Sequence, residues 1–61
     1  MSDWKLAKDI QIGEEIVGPE GAIYTVAAID DHGDALDFGL LHPNGVEFTT
    51  TAEAFEEVEV A

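Results

Sequence analysis

The chain has 61 residues, with fourteen Asp and Glu, two Lys and no Arg, so that its formal net charge is −12. This length allows a single domain, residues 1–61, and the absence of Cys excludes disulfides and thiolate metal sites. Binding to nucleic acid or to an anionic membrane depends on Lys and Arg, so the composition argues against both. The charge suits a basic protein, a metal ion or a salt-rich host, and in its plainest interpretation it serves only solubility.

The N-terminal residues 1–9 carry both lysines, Lys5 and Lys8, and are expected to form an extended arm. Trp4 in this arm has two interpretations: it covers an open end of the sheet, or it contacts a partner. The arm lacks the apolar core of a signal peptide. This predicts a cytoplasmic protein, or one packed into a particle that is assembled in the cytoplasm.

The stretch Ile10–Val26 organises the rest of the chain. It predicts two short strands, Glu14–Val17 and Ala22–Ile29, joined by a tight turn at residues 18–21. Pro19 sets φ in that turn, and a glycine on either side adds conformational freedom. The later segments are then expected to pair with this first hairpin and form further hairpins.

Two more turns follow, and each has its own chemistry. Asp30–Asp34 places Gly33 where a positive φ is expected, and His42–Gly45 combines a proline at the second position with Asn-Gly. The residues between the turns alternate between apolar and polar or small, which predicts a strand with one buried face. The apolar set on that face is Leu36, Phe38 and Leu40.

Two residues of this strand depart from the simple pattern. Gly39 in the middle of a strand indicates a bulge or a sharp bend. Leu41 is an apolar residue on what should be the solvent face. Such a position is a candidate contact for another protein.

The strand after the third turn, Val46–Thr51, alternates again. Thr50 with Glu53 fits a capping box, so one helical turn is expected at Ala52–Phe55, before a closing strand at Glu57–Val60. The predicted fold is all-β. It is a small five-stranded SH3-like barrel or a strongly curved antiparallel meander, with a one-turn helix before the last strand.

The pattern I-x-I-G-E-E-I…G-x-I-Y-T-V, from Ile10 to Val26, resembles the opening of many SH3-like small-barrel modules. The resemblance consists of glycines and alternating apolar residues, and with the short turn before the fifth strand it extends over most of the chain. It implies architecture alone, because barrels of this type serve many unrelated functions.

Catalytic and metal chemistry find little support in the residues. A nucleophilic triad needs Ser or Cys beside a His, and the one serine is Ser2. The turn that holds Asp30, His32 and Asp34 offers oxygen and nitrogen ligands, but its glycine falls at the fourth position rather than the sixth of a calcium loop. We therefore expect no enzyme activity, no cofactor and no metal, and interpret the turn as a hydrophilic hairpin.

The aromatic residues offer a third kind of site. The three Phe residues are expected to form the core, which leaves Trp4 and Tyr24 open to other roles. SH3-like barrels often use aromatic residues on one face to bind peptides. An exposed Tyr24 or Trp4 beside Asp30, Asp31 or Asp37 would attract a cationic side chain through cation–π and Coulomb interactions.

The function expected from the sequence is that of a non-catalytic, acidic protein-interaction module. Its partner would be a basic protein, and its small size suits an accessory protein of a phage or a prokaryote. The candidate binding residues are Trp4, Tyr24, Asp30, Asp31, Asp37, Leu41 and Glu47.

Two other functions stay open. A DNA mimic would array carboxylates like phosphates to occupy a nucleic-acid-binding protein, and an outward set could supply them: Glu14, Glu15, Asp37, Glu47, Glu57 and Glu59. A structural subunit, such as a particle decoration or a homo-oligomer, would complete its core through edge strands. A one-sided stripe of charge on the folded surface would favour mimicry over a merely solubilising role, whereas a structural subunit predicts a melting temperature that depends on concentration.

Overall fold

In the computed structural model, which describes residues 3–18 and 21–61, the chain is all-β. Each strand pairs antiparallel with its neighbours. One short 3₁₀ turn, Ala7–Asp9, follows the first strand. The strands are β1 Asp3–Leu6, β2 Glu15–Val17, β3 Ile23–Asp31, β4 Ala35–Leu41, β5 Glu47–Glu53 and β6 Glu57–Val60.

The six strands form one sheet in the order β1-β6-β2-β3-β4-β5. β1 and β5 lie at its two ends and are not paired with each other in the described parts of the chain, so the sheet is a curled meander and not a closed barrel. This is the meander that was predicted as the alternative to a barrel, whereas the expected count of five strands was wrong. Asp3–Leu6 of the expected arm pairs with β6, from Asp3 opposite Val60 to Leu6 opposite Glu57, and adds a sixth strand.

The helix expected before the last strand is absent, and that prediction was wrong. Thr50 and Glu53 both belong to β5, and Ala54 and Phe55 form a simple turn. The pairing of β5 with β4 continues to Glu53, opposite Ala35. Ladder hydrogen bonds and the β-preference of threonine therefore outweigh the local cap.

The predicted turn at residues 42–45 is confirmed, and the turn predicted at residues 30–34 is confirmed in its second part, since Asp30 and Asp31 still belong to β3. Gly33 and Gly45 have φ values of 93° and 91°, a conformation that favours glycine. Pro19 and Glu20 of the first predicted turn lie outside the described residues. On either side of them, the Gly18 N–H donates to the Ala22 carbonyl oxygen at 2.7 Å.

A bulge lies opposite Gly39, where the sequence predicted an irregularity. The register shifts between Val26 and Ala28 of β3, while Ala28 pairs with Gly39. A Cβ atom on Gly39 would come within 3.2 Å of the Ala28 Cβ, so the two backbones approach closely there. The bulge increases the local twist and helps to curl the sheet.

One side of the curled sheet faces the core, to which β4 contributes three residues and the other segments single residues. The alternation predicted for β4 is confirmed, with Leu36, Phe38 and Leu40 buried. The expectation that all three Phe residues are core was wrong, since Phe48 is 37% exposed and Phe55 is 74% exposed. The buried residues are Ala7, Ile10, Ile16, Val26, Leu36, Phe38, Leu40, Ala52, Ala54 and Val60.

The reason for the error lies at the edge of the sheet. Phe48 lies on the core side of β5, but within residues 3–18 and 21–61 no strand pairs with the other edge of β5 to cover it. Phe55 lies in the turn after β5. Among the residues described here, no helix has the length and apolar character needed to span a membrane.

Candidate functional site

The outer face of β3, β4 and β5 is the side of these three strands that points away from the core. Their register arranges it in three cross-strand rows. One row is Thr25–Leu41–Glu47, the middle row is Ala28–Gly39–Thr49, and the last is Asp30–Asp37–Thr51. This outer face holds four of the seven residues predicted to bind a partner: Asp30, Asp37, Leu41 and Glu47.

The last row forms a polar cluster with the neighbouring turn. Asp37 accepts hydrogen bonds from the Thr51 hydroxyl at 2.6 Å and from the His32 Nε2 at 2.9 Å. The same His32 nitrogen lies 3.6 Å from an Asp30 oxygen. Asp31 is used locally, since its carboxylate accepts the Gly33 N–H at 2.7 Å and shapes the turn.

These contacts shift two pKa values in opposite directions. The pKa of His32 is raised, first by its hydrogen bond to Asp37 and then by the negative charge of Asp30. The pKa of Asp37 is lowered, first by the Thr51 hydroxyl and then by His32. The His32 imidazolium and the Asp37 carboxylate therefore stabilise each other when both are charged.

The grouping of possible ligands differs from the one weighed on sequence. Asp30, His32 and Asp37 bring ligand atoms within 4.8 Å of one another, whereas Asp34 lies outside this group. Asp37 replaces Asp34 in the group because Asp37 of β4 lies opposite Asp30 of β3. Asp30 and His32 are exposed, Asp37 is half-buried, and Asp37 already accepts two hydrogen bonds, an arrangement common in solvated polar turns.

The other two rows are less polar. Leu41 is half-buried between Thr25 and Glu47, its direct neighbours in the sheet. The middle row has small side chains, which leave a shallow depression of about 220 Å³ beside it, bounded on one side by Glu47. The outer face therefore carries carboxylates at both ends and a shallow centre of small side chains.

Tyr24 and Trp4 lie elsewhere. Tyr24 is on the core side, half-buried, with edge-to-face contacts to Phe48 at 4.8 Å and to His42 at 5.2 Å between ring centroids. Trp4 is 61% exposed on β1 opposite Glu59, so it does not cover an end of the sheet. Trp4 shares the outward side of the sheet with Glu59, but strands β6 and β2 separate it from the carboxylates of β3–β5, and Tyr24 lies on the opposite, core side.

The sequence did not reveal an apolar groove on the core side, between β5 and strands β2 and β6. Its volume is about 340 Å³, and its lining includes Tyr24, Phe38, Leu40, Phe48, Thr50 and Val58. The signal that could have indicated it is the alternation of Phe48, Thr50 and Ala52 on a strand that lacks a further neighbour. Only the strand order shows that β5 is such a strand.

Both lysines lie at the other end of the sheet order, on and after β1. Lys5 Nζ bonds both oxygens of Glu14 at 3.0 and 2.9 Å. Lys8 Nζ is 3.5 Å from an Asp9 oxygen and 5.8 Å from the centroid of the Phe55 ring. The lysines are therefore engaged locally and leave the outer-face carboxylates without a lysine partner.

Comparisons with known proteins do not extend this description. No family model, no curated protein and no solved structure matches the chain.

Proposed function

We propose that the protein is a non-catalytic interaction module whose outer face binds a basic protein. The observation that carries this proposal is the separation of charge. Both lysines are engaged near β1, while Asp30, Asp37 and Glu47 lie on the outer face of the three longest strands. A surface of this kind attracts Lys and Arg side chains and speeds encounter with a basic partner.

The rows of the outer face suggest how such a partner would bind. Its cationic side chains would lie at the two ends, near Asp30 and Asp37 on one side and Glu47 on the other. Its apolar groups would cover Leu41 and the depression beside Gly39. Charged groups would then supply orientation and rate, and the central contact would exclude water.

For fold, location and origin, the proposal keeps the expectations drawn from the sequence. The curled sheet would be an open relative of SH3-like barrels, in a cytoplasmic accessory protein of a phage or a prokaryote. Neither point is needed for the binding of a basic protein.

A DNA mimic is a second candidate, because several carboxylates share the outward side of the sheet. Glu15 pairs with Thr25 of the outer face, and Glu57 and Glu59 alternate with the core-facing Val58 and Val60. Glu14 of the same predicted set is instead held by Lys5. Mimicry requires that the partner bind DNA and that duplex DNA compete for it.

Affinity capture from a lysate at low and then moderate salt tests the proposal, with mass spectrometry of the eluted proteins. The variant D30N/D37N/E47Q removes three charges from the outer face and should release the basic partner. The control D3N/E57Q/E59Q removes the same charge from β1 and β6 and should retain it. Equal capture by both variants would contradict the outer face as the binding surface.

The alternatives give different results in the same experiment. Displacement of the partner by duplex DNA would favour mimicry. Recovery of the protein itself alone, with a melting temperature that rises with protein concentration, would favour a structural subunit.

A further inference from the structure

The free edge of β5 presents unused backbone hydrogen-bonding groups. The His42 N–H donates to the Val46 carbonyl oxygen at 2.9 Å, and hydrogen-bonded pairs alternate along an antiparallel ladder. The pairs of Phe48, Thr50 and Ala52 with β4 are therefore the bonded ones. It follows that Glu47, Thr49 and Thr51 direct their N–H and C=O groups away from β4, toward solvent.

β5 lacks most of the devices that protect sheet edges. Edges are commonly shielded by short strands, lysines, prolines or bulges. β5 has seven residues, three consecutive threonines, and neither lysine nor proline. Its register with β4 is regular from end to end.

The apolar groove lies directly beside this edge. Phe48 and Thr50 of β5 point toward it, and Tyr24 packs edge-to-face on the Phe48 ring. A strand added to β5 would place every second side chain over the groove. Its remaining side chains would extend the outer face, next to the row that contains Thr51 and Asp37.

We propose that β5 accepts an antiparallel seventh strand from the partner, in which basic residues alternate with apolar ones. The inference rests on the proposed function, since it specifies which segment of a basic protein binds. Basic side chains would lie on the outer face near Asp37 and Glu47, and apolar ones would enter the groove. Peptide recognition by strand addition uses main-chain bonds for affinity and alternate side chains for specificity.

Charge selects this occupant over a second copy of the chain. Two β5 strands side by side would bring together their terminal Glu47 and Glu53 residues on molecules of net charge −12. Like charges across a strand pair are destabilising, whereas opposite charges stabilise it. A basic segment removes this repulsion.

Two peptides of identical composition test the proposal: Lys-Val-Lys-Val-Lys-Val-Lys and Lys-Lys-Val-Val-Val-Lys-Lys. Binding to the ¹⁵N-labelled protein is followed by NMR titration at low salt. The alternating peptide should bind more tightly, and it should shift the Thr49 and Thr51 amides and slow their hydrogen exchange. Equal affinity for the two peptides would overturn the seventh strand while leaving recognition of a basic partner intact.

N-methylation of the alternating peptide separates main-chain pairing from charge. In an antiparallel pair the lysine N–H groups face β5 and the valine N–H groups face away. N-methylation at the lysines should weaken binding by about two- to tenfold for each hydrogen bond lost, and N-methylation at the valines should not. Equal weakening by both modifications would overturn the proposal.

A protein variant supplies the matching test. T49P removes the N–H of Thr49 from the free edge without removing a bond to β4, a position where proline is tolerated. T49A removes the side chain but keeps that N–H. T49P should lose the alternating peptide and T49A should keep it. If T49P does not fold, the comparison of the lysine-methylated and valine-methylated peptides, made with the unmodified protein, tests the main-chain pairing instead.

Three further outcomes count against the inference. Peptide binding that leaves the Thr49 and Thr51 amides unchanged places the site elsewhere. If the parent protein is a dimer without peptide and the T49P variant is a monomer, the β5 edge binds a second copy of the chain. Failure of both peptides at low salt, together with lysate capture of a basic protein by T49P, overturns the strand but not the proposed function.

Discussion

The two edge strands of the sheet differ in ways that bear on function. β1 has four residues, its Lys5 is paired with Glu14, and the 3₁₀ turn after it bonds to the segment between β5 and β6. β5 has seven residues, three of them consecutive threonines, with a glutamate at each end. The β1 edge is therefore short and charged and is held by hydrogen bonds, whereas the β5 edge is long and open. We therefore assign binding of the partner to β5.

The largest expected effect concerns the core that supports β5. Phe38→Ala should lower the free energy of unfolding by about 3–5 kcal/mol, because Phe38, on β4 next to β5, is a buried core residue. Such a loss approaches the whole stability of a domain of this size. Phe55→Ala, which removes a phenylalanine that is 74% exposed, should cost about 0.5 kcal/mol or less. Urea unfolding measures both, and similar losses would contradict the assigned core.

A smaller effect is expected at the wall of the groove. A Cβ on Gly18 would overlap the Tyr24 ring, so Gly18→Ala should displace that ring from Phe48. Overpacking of this kind costs about 1–3 kcal/mol. The loss should shrink in a Tyr24→Leu background, as measured by urea unfolding of the double-mutant cycle. The same loss in both backgrounds would show that the ring is not the obstacle.

At the β1 edge the expected effect is smaller still. The Lys5 hydrogen bond lowers the pKa of Glu14, against the opposing effect of partial burial, with help from the Gln11 N–H. The pair stabilises the fold above the unfolded pKa of Glu14, and this is lost as pH falls through the lowered, folded pKa. A Lys5→Met/Glu14→Gln double-mutant cycle at neutral pH should give a coupling of about 0.5 kcal/mol that added salt weakens. A coupling that is independent of both pH and salt would argue against an ion pair.

The smallest expected effect is a pH dependence at the outer face beside β5. The pKa of His32 is raised by Asp37 and Asp30, so its stabilisation is complete below the unfolded histidine pKa and is lost as pH rises through the folded one. Melting temperature should therefore decline slightly across that interval in the parent protein and less in His32→Gln. The control Asp34→Asn, a charge in the same turn outside the cluster, should keep the decline. A decline that persists unchanged in His32→Gln would contradict this origin.

The amino-acid sequence by itself determined the all-β class and the face of each residue in β4. Leu36, Phe38 and Leu40 are buried where alternation placed them, and Gly33 and Gly45 have the positive φ that their turns require. Both kinds of information are local. A strand repeats every two residues, and a glycine adopts a positive φ without a steric cost.

Only the tertiary structure decided which faces are covered and which distant residues meet. Alternation placed Phe48 on the core side, but its exposure follows from the position of β5 at the end of the sheet. Asp37 joins Asp30 and His32 because β3 and β4 pair in one particular register, which the bulge at residues 26–28 helps to set. The groove exists because the curled sheet stays open between β5 and strands β2 and β6. These features depend on pairings between segments far apart in the chain, which no local pattern specifies.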